Sequence, residues 1–250
     1  MKRITISLLT TLVALLAAPH LHAAGGGAVL SYSVDLTNEP SLQRGARNFM
    51  NYCSGCHGLK YLRYSSIARD LGIPEAVVEE NLIFGDATLN DHVDSAMPAT
   101  SADWFGQQPP DLSLTARSRG ADWVYSFLNT FYVDEGKSTG YNNLQLAGAA
   151  MPHVLAELQG VVVKREEEGH GDGGHGGGHG DDHGLELVEE GELTPAEYKD
   201  FTADLTNFLA YAAEPGKADR IALGWKVMFY LLLLFGVAYL MKREYWKDVH

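Results

Sequence analysis

Residues 51–66 read NYCSGCHGLKYLRYSS, and they contain both cysteines of the 250-residue sequence. Two residues separate Cys53 from Cys56, and His57 follows directly. This spacing is compatible with a disulfide, a redox-active thiol pair, half of a zinc site, or the attachment site of a c-type haem. The sequence around the motif decides among these four possibilities.

The two ends of the sequence predict export and a membrane anchor. Residues 1–23 have the layout of a signal peptide: a positive start, an apolar run and small residues at a cleavage site after Ala23 or Ala24. Residues 221–241, apolar except for Lys226, span about 31 Å of helix, which matches the hydrocarbon core of a bilayer. We therefore expect an exported domain (residues 24–220), one transmembrane helix and a cytoplasmic tail (residues 242–250).

A helix is expected directly before the cysteine motif, capped by Ser41. Apolar residues recur there at helical spacing, at Leu42, Ala46, Phe49 and Met50. A thioredoxin-type pair would instead follow a strand, and a zinc site would need a second pair of cysteines. A disulfide across two intervening residues would stabilise the fold little. The exported context and the motif therefore predict one haem c, attached through Cys53 and Cys56, with His57 as an iron ligand.

The rest of the sequence predicts a mainly α protein. Further helices are expected in residues 74–84 and 121–132, and the pattern of a capping box at Thr194 and Glu197 predicts a long helix up to about residue 213. No strand pattern is evident. Residues 166–192 hold ten acidic residues and no Lys or Arg, which accounts for most of the formal net charge of −13. We expect this Gly-rich segment to be a flexible loop, with four histidines at His170, His175, His179 and His183.

A second axial ligand to the iron is sought among methionines and histidines on the opposite side of the haem. Met97 and Met151 are the methionine candidates, and His92 and His153 are rivals. A methionine ligand would raise the reduction potential, as expected of an electron carrier. Spacing alone does not choose among these four residues.

The sequence resembles the cytochrome c1 family, the membrane-anchored haem subunits of ubiquinol–cytochrome c reductase (complex III). The resemblance rests on the order of several segments: CSGCHGLKYLRY, PPDLSLTARSRGADWVYSFL, YNNLQLAGAAMPHVL and FLAYAAEP, then an apolar helix and MKREYW. It implies a class I cytochrome c-like haem domain with loop insertions. In that fold the helix before the motif crosses the last helix of the domain, here through Gly45 and Phe49 against residues 208–211.

The resemblance also implies a set of haem contacts. Met151 becomes the second axial ligand, Pro109 and Pro110 pack along the haem edge, and Arg117 pairs with a haem propionate. The implied function is electron transfer from a Rieske iron–sulfur protein to a soluble or tethered cytochrome c, with no catalytic site of the chain's own. The implied partners are cytochrome b and the Rieske protein, in a dimeric complex without nucleic acid. The implied location is a bacterial inner membrane, with the haem domain in the periplasm and the helix in lipid.

Three alternatives make different predictions. A free-standing, membrane-anchored c-type cytochrome serving another respiratory complex would have the same haem site but no cytochrome b partner. A haem enzyme such as a peroxidase would need an open or displaceable sixth position on the iron. A metal-delivery protein would depend on the histidine-rich loop at residues 166–192.

Overall fold

The computed structural model describes residues 29–165 and 184–247, which are mainly helical. The helices are α1 Glu39–Tyr52, α2 Tyr64–Asp70, α3 Glu75–Asn81, α4 Ala102–Phe105, α5 Thr115–Arg119, α6 Ala121–Asn129, α7 Ala156–Gln159, α8 Pro195–Ala213 and α9 Lys217–Tyr245. The strands are β1 Leu59–Arg63, β2 His92–Val93, β3 Phe131–Val133, β4 Tyr141–Asn143, β5 Gly160–Lys164 and β6 Leu185–Glu190. The prediction of a mainly α protein is confirmed. The predicted signal peptide and the four histidines of the acidic segment lie outside the described residues.

Helices α1 and α8 cross at a glycine and form the centre of the core. A Cβ added at Gly45 would overlap the carbonyl oxygen of Asp204 and lie 2.6 Å from the Cβ of Phe208. The rings of Phe49 and Phe208 pack beside this point with their centroids 5.7 Å apart, and both side chains are fully buried. The expected crossing is confirmed, and its close approach requires glycine at position 45.

A buried polar network ties the same two helices together. Arg44 donates to both carboxylate oxygens of Asp204, at 2.6 and 2.9 Å. The Ser41 hydroxyl donates to Asp204 at 2.6 Å and accepts from the Asn207 amide at 2.9 Å. Each buried polar group therefore has a partner, which offsets the cost of removing it from water.

Of the two predicted helix caps, the capping box at Thr194 is confirmed and the cap at Ser41 is wrong. Helix α8 begins with the predicted capping box, in which the side chains of Thr194 and Glu197 each bond the other's backbone N–H. Helix α1 is capped by Asn38 and not by Ser41, because the Asn38 side chain accepts from the Ser41 N–H at 3.2 Å. Ser41 is unavailable for capping, since its hydroxyl points into the core toward Asp204.

Three antiparallel strand pairs, β1–β2, β3–β4 and β5–β6, were not expected from the sequence. One of them corrects the end of the flexible loop predicted over residues 166–192, because Leu185–Glu190 pairs with Gly160–Lys164; residues 166–183 lie outside the described residues. The side chains of β6 are almost all exposed. The strand is therefore held by backbone hydrogen bonds, and its alternation of apolar and polar residues is limited to Leu185–Glu186–Leu187, too short to have indicated it.

Helix α9 contains the whole predicted transmembrane segment. It has 29 residues, about 43 Å of helix, and none of them is buried within the chain. The helix is long enough and its mean hydropathy high enough for it to cross a membrane. Arg220 and Lys217 in its first turn lie 2.9 and 3.7 Å from Glu214, at the end of α8, so ion pairs connect the anchor to the domain.

Candidate haem-binding site

Two adjoining cavities open beside the cysteine motif, and the larger has a volume of about 380 Å³. That volume falls within the roughly 300–1,000 Å³ typical of cofactor sites. Cys53, His57, Pro110 and Met151 line both cavities, and Cys56 and Pro109 line the smaller one. The fold thus brings the motif at the end of α1 together with residues that lie more than 50 positions away in the sequence.

The His57 ring is oriented by a backbone carbonyl. Its Nδ1 atom lies 2.7 Å from the oxygen of Pro110. A carbonyl oxygen can only accept, so Nδ1 carries the proton and Nε2 is the free nitrogen. Burial lowers the pKa of His57 below its usual value, although the Pro110 contact opposes this, so the ring is neutral. A neutral imidazole with one nitrogen held in this way is the usual form of a metal-binding histidine.

The segment that carries Pro110 is itself fixed to β1. Asp111 accepts the backbone N–H of Lys60 at 2.8 Å, and the Leu112 N–H donates to the carbonyl of Gly58 at 2.9 Å. The Asp111 side chain also accepts the N–H of Ser113 at 3.0 Å. The residues directly after the motif therefore hold the Pro110 carbonyl beside Nδ1 of His57.

The two cysteines are thiols and form no disulfide with each other. Burial raises the pKa of Cys53 to about 12, and the neighbouring Cys56 adds a smaller contribution in the same direction. Redox-active pairs and zinc sites both require a thiolate, which this environment disfavours. Within residues 29–165 and 184–247, no three His, Cys, Asp or Glu side chains cluster to hold a metal ion.

The four candidates for the second axial ligand occupy different places. Met151 lines both cavities, whereas Met97, His92 and His153 line neither. The Nε2 atom of His153 lies 2.5 Å from the side-chain oxygen of Gln159. Burial lowers the pKa of His153 to about 4. Of these four residues, only Met151 lies beside the motif.

Aromatic side chains form one wall of the larger cavity. The rings of Trp123 and Phe127 are stacked with their centroids 5.2 Å apart, and both line the cavity. Phe127 packs edge-on against Phe131, which stacks in turn on His153 at 4.6 Å. The spacing of four residues places Trp123 and Phe127 on one face of α6, and Phe131 joins them from β3. Sequence reasoning missed this row.

The two arginines of α5 have different surroundings. Arg117, the expected partner of a haem propionate, does not line either cavity and lies 3.6 Å from Glu214. Arg119 lines the larger cavity, and its guanidinium lies 4.5 Å from the centroid of the Trp123 ring. Arg119 and Trp123 belong to different helices, and Gly120 (φ 94°) breaks the chain between them, so no helical spacing in the sequence indicated this contact.

These residues fit a haem c. Two unpaired thiols and a neutral imidazole border a largely apolar cavity that also contains a thioether sulfur. An arginine at the wall can meet a carboxylate. Tyr52 and Val154, each 40% exposed, also line the smaller cavity.

Comparisons with known proteins agree with this chemistry. A family model described as the Cytochrome C1 family matches residues 32–167 and 183–249. Cytochrome c1 of Allochromatium vinosum is 48% identical over 238 residues, which cover 94% of this chain and 96% of that protein. The ammonia monooxygenase gamma subunit of Nitrosomonas europaea is 40% identical over 242 residues, which cover 96% and 97%. A solved chain of a hyperthermophilic respiratory complex III is 16% identical, with a TM-score of 0.45 and coverage of 100% and 98%. By the family match and the 48% identity along nearly its whole length, this chain belongs to the cytochrome c1 family.

Proposed function

We propose that this chain is the electron-transfer subunit of a quinol–cytochrome c reductase, which receives electrons from a Rieske iron–sulfur protein and passes them to a cytochrome c. The observation that carries the proposal is the cavity region that joins Cys53, Cys56 and His57 to Met151. Membership of the cytochrome c1 family supports the same function.

Four side chains would hold the cofactor. The sulfurs of Cys53 and Cys56 would form the two thioether bonds, and His57 and Met151 would be the axial ligands of the iron. When bound, haem c supplies reversible one-electron oxidation and reduction at its iron. Arg119 is placed to pair with a carboxylate group at the cavity wall.

The surrounding protein adjusts these ligands. The carbonyl of Pro110 holds His57 in the tautomer whose Nε2 is free, and such outer contacts make the imidazole more basic. The aromatic wall of Trp123 and Phe127 would shield one side of the cavity from water. A buried apolar site and a thioether ligand both favour the reduced state, so a high potential is expected. With His57 and Met151 both binding the iron, no coordination site would remain for a substrate, as suits an electron carrier.

The membrane anchor sets where this transfer takes place. The chain is membrane-anchored, and its helix α9 would pack against cytochrome b within an inner membrane. We place the haem domain, residues 24–220, on the periplasmic side, because the amino-terminal residues have the layout of a secretory signal. Residues 242–250 would then be cytoplasmic. By family analogy, the complex is dimeric.

Purification from membranes tests the proposal directly. The tagged chain, solubilised in a mild detergent, should co-purify with cytochrome b and a Rieske protein, and quinol should reduce its haem. The Cys53→Ser, Cys56→Ser variant should lack the attached haem and serves as the control. Recovery of the haem protein alone, or with a different complex, would support the alternative of a cytochrome that serves another respiratory system.

A further inference from the structure

We propose that His153 is a positioning residue that holds the Met151 sulfur in place at the haem site. The inference rests on the proposed function, in which Met151 is an axial ligand. His153 lies two residues after Met151 and is 8% exposed, yet it does not line either cavity. Its imidazole is therefore packed behind the segment that carries Met151 and does not face either cavity.

The His153 ring is packed between two aromatic side chains. It stacks on Phe131 with a centroid separation of 4.6 Å and an interplanar angle of 6°. Tyr141 meets it edge-on at 5.3 Å and 70°. Phe131 and Tyr141 belong to the paired strands β3 and β4, so the ring fixes the Met151 segment to this strand pair. Offset and edge contacts of this kind add to the free energy of simple burial.

A hydrogen bond fixes the rotation of the same ring. The Nε2 atom of His153 donates to the side-chain oxygen of Gln159 at 2.5 Å. Gln159 ends helix α7, and β5 begins at the next residue. The two aromatic contacts fix the plane of the His153 ring, and the hydrogen bond fixes the ring's rotation within that plane. The ring therefore has one orientation.

The other side of Met151 is held by two asparagines of β4. The Asn143 side-chain oxygen accepts the N–H groups of Gln145 and Leu146 at 2.9 and 3.0 Å. The Asn142 oxygen accepts the N–H of Gly148 at 2.8 Å. These contacts fix residues before Met151, and the buried His153 fixes the backbone just after it, in a segment where Leu155 is also buried in the core.

Fixing the backbone around Met151 would keep its thioether sulfur in one place at the cavity. Methionine has three rotatable side-chain bonds and a thioether that binds metals weakly, so its sulfur stays at a metal only where the backbone is fixed. Outer contacts of metal ligands commonly change metal affinity by 10–100-fold. His153 supplies such a contact through the backbone of the segment and not through the metal.

The experiment compares variants of the haem-loaded full chain in detergent. His153→Ala should abolish or strongly weaken the methionine–iron charge-transfer band, and ferrous haem should bind carbon monoxide about 10–100-fold faster, in the range of other outer-contact variants. His153→Phe keeps a ring against Phe131 and should retain part of the band. Gln159→Leu removes only the hydrogen bond and should also weaken the band.

The control is Tyr211→Phe, which removes a buried hydrogen bond to Asp70 (2.9 Å) from a side chain that does not line the haem cavities. It should lower stability and leave the band and carbon monoxide binding unchanged. Amide hydrogen exchange should accelerate in residues 149–155 of His153→Ala but not of the control.

Met151→Ala separates this inference from the proposed function. If that variant keeps the band, Met151 is not the ligand and the proposed site is wrong. If it loses the band while His153→Ala keeps it, the ligand stands and the positioning role is overturned. Should His153→Ala not fold, the full wild-type band in both His153→Phe and Gln159→Leu would overturn the role equally.

Discussion

The Nδ1 atom of His57 lies 2.7 Å from the carbonyl oxygen of Pro110, 53 residues further along the chain. The orientation of the imidazole therefore depends on a segment that the haem motif does not contain. Asp111 fixes this segment by accepting backbone N–H groups from Lys60 and Ser113. The chemistry of a local motif is thus controlled by long-range contacts.

Asp111→Ala should release the proline segment from β1. Two hydrogen bonds to a charged acceptor are lost, and the unfolding free energy should fall by roughly 2 kcal/mol. The His57 ring should lose its fixed orientation, which should broaden the haem absorption bands and reduce haem content. Denaturant unfolding and haem quantification measure the two effects. Asp103→Ala, at an exposed carboxylate on α4, is the matched control, and an equal loss in both variants would contradict the prediction.

Gly45→Ala should destabilise the helix crossing. The added Cβ would overlap the Asp204 carbonyl and approach the Phe208 Cβ at 2.6 Å, so α1 and α8 must move apart. Overpacking of this kind costs about 1–3 kcal/mol. Thermal and denaturant unfolding check the value. Gly216→Ala is the control, because nothing lies within 4 Å of a Cβ there; equal destabilisation of the two would refute the steric explanation.

Glu214→Gln should change the pH dependence of stability. The hydrogen bond from Arg220, with further help from Arg117 and Lys217, lowers the pKa of Glu214 below its usual 4.5. A carboxylate whose pKa is depressed by folding stabilises the protein above its unfolded pKa, and this contribution is lost as the pH falls through the folded pKa. Wild type should therefore melt at a higher temperature than Glu214→Gln above pH 4.5, and the gap should close at more acidic pH.

High salt should shrink the same gap, because the partner arginines are more than 60% exposed and their charges are screened. Melting curves at several pH values with and without salt provide the measurement. A gap that is constant across the pH range would show that Glu214 acts through packing and not through its charge.

Much of the fold was predictable because its signals are local. The capping box of α8, the apolar period of α1 and the long run of α9 each reside in a short stretch of sequence. The glycine at position 45 could also be interpreted, since a helix interior tolerates it only for a reason such as a close crossing. The haem motif is also a local signal, because the spacing of its residues follows from the shape of the cofactor.

The features that sequence reasoning missed depend on distant partners. Strand β6 exposes nearly every side chain and is specified by its backbone pairing with β5. The position of Arg119 at the cavity wall depends on the break at Gly120 between α5 and α6, which brings its guanidinium over the Trp123 ring. The His57 contact with Pro110 leaves no mark in the sequence, because the acceptor is a backbone carbonyl.

Charge reversal on β6 should slow electron transfer to a basic cytochrome c. Glu189 and Glu190 are exposed in a chain of formal net charge −13. β5, the partner of β6, follows α7 directly and packs near the strand pair that carries Phe131. Glu189→Lys with Glu190→Lys should lower the association rate by roughly 10-fold at low ionic strength, because steering is lost. Stopped-flow reduction of the acceptor measures this rate.

Glu79 and Glu80 on α3 form a matched pair of adjacent exposed glutamates. Changing both to lysine should lower the association rate less than the β6 reversal does, because the acceptor is steered to the surface near β6. A rate that does not respond to ionic strength in wild type would show that the acidic surface does not steer the acceptor.

Met151→Ala should change the haem properties and Met97→Ala should not, because only Met151 lines the haem cavities. Loss of a thioether ligand removes stabilisation of ferrous iron, so the midpoint potential of Met151→Ala should fall by roughly 0.1 V or more, within the ~0.8 V that axial ligands control. The vacated position should also bind carbon monoxide. Met97→Ala should change neither property, since Met97 is followed by Pro98 in a segment that reaches neither cavity. Redox titration and carbon monoxide difference spectra measure both variants. A fall in potential for Met97→Ala alone would move the axial ligand to the 92–98 segment and leave Met151 as part of the cavity wall.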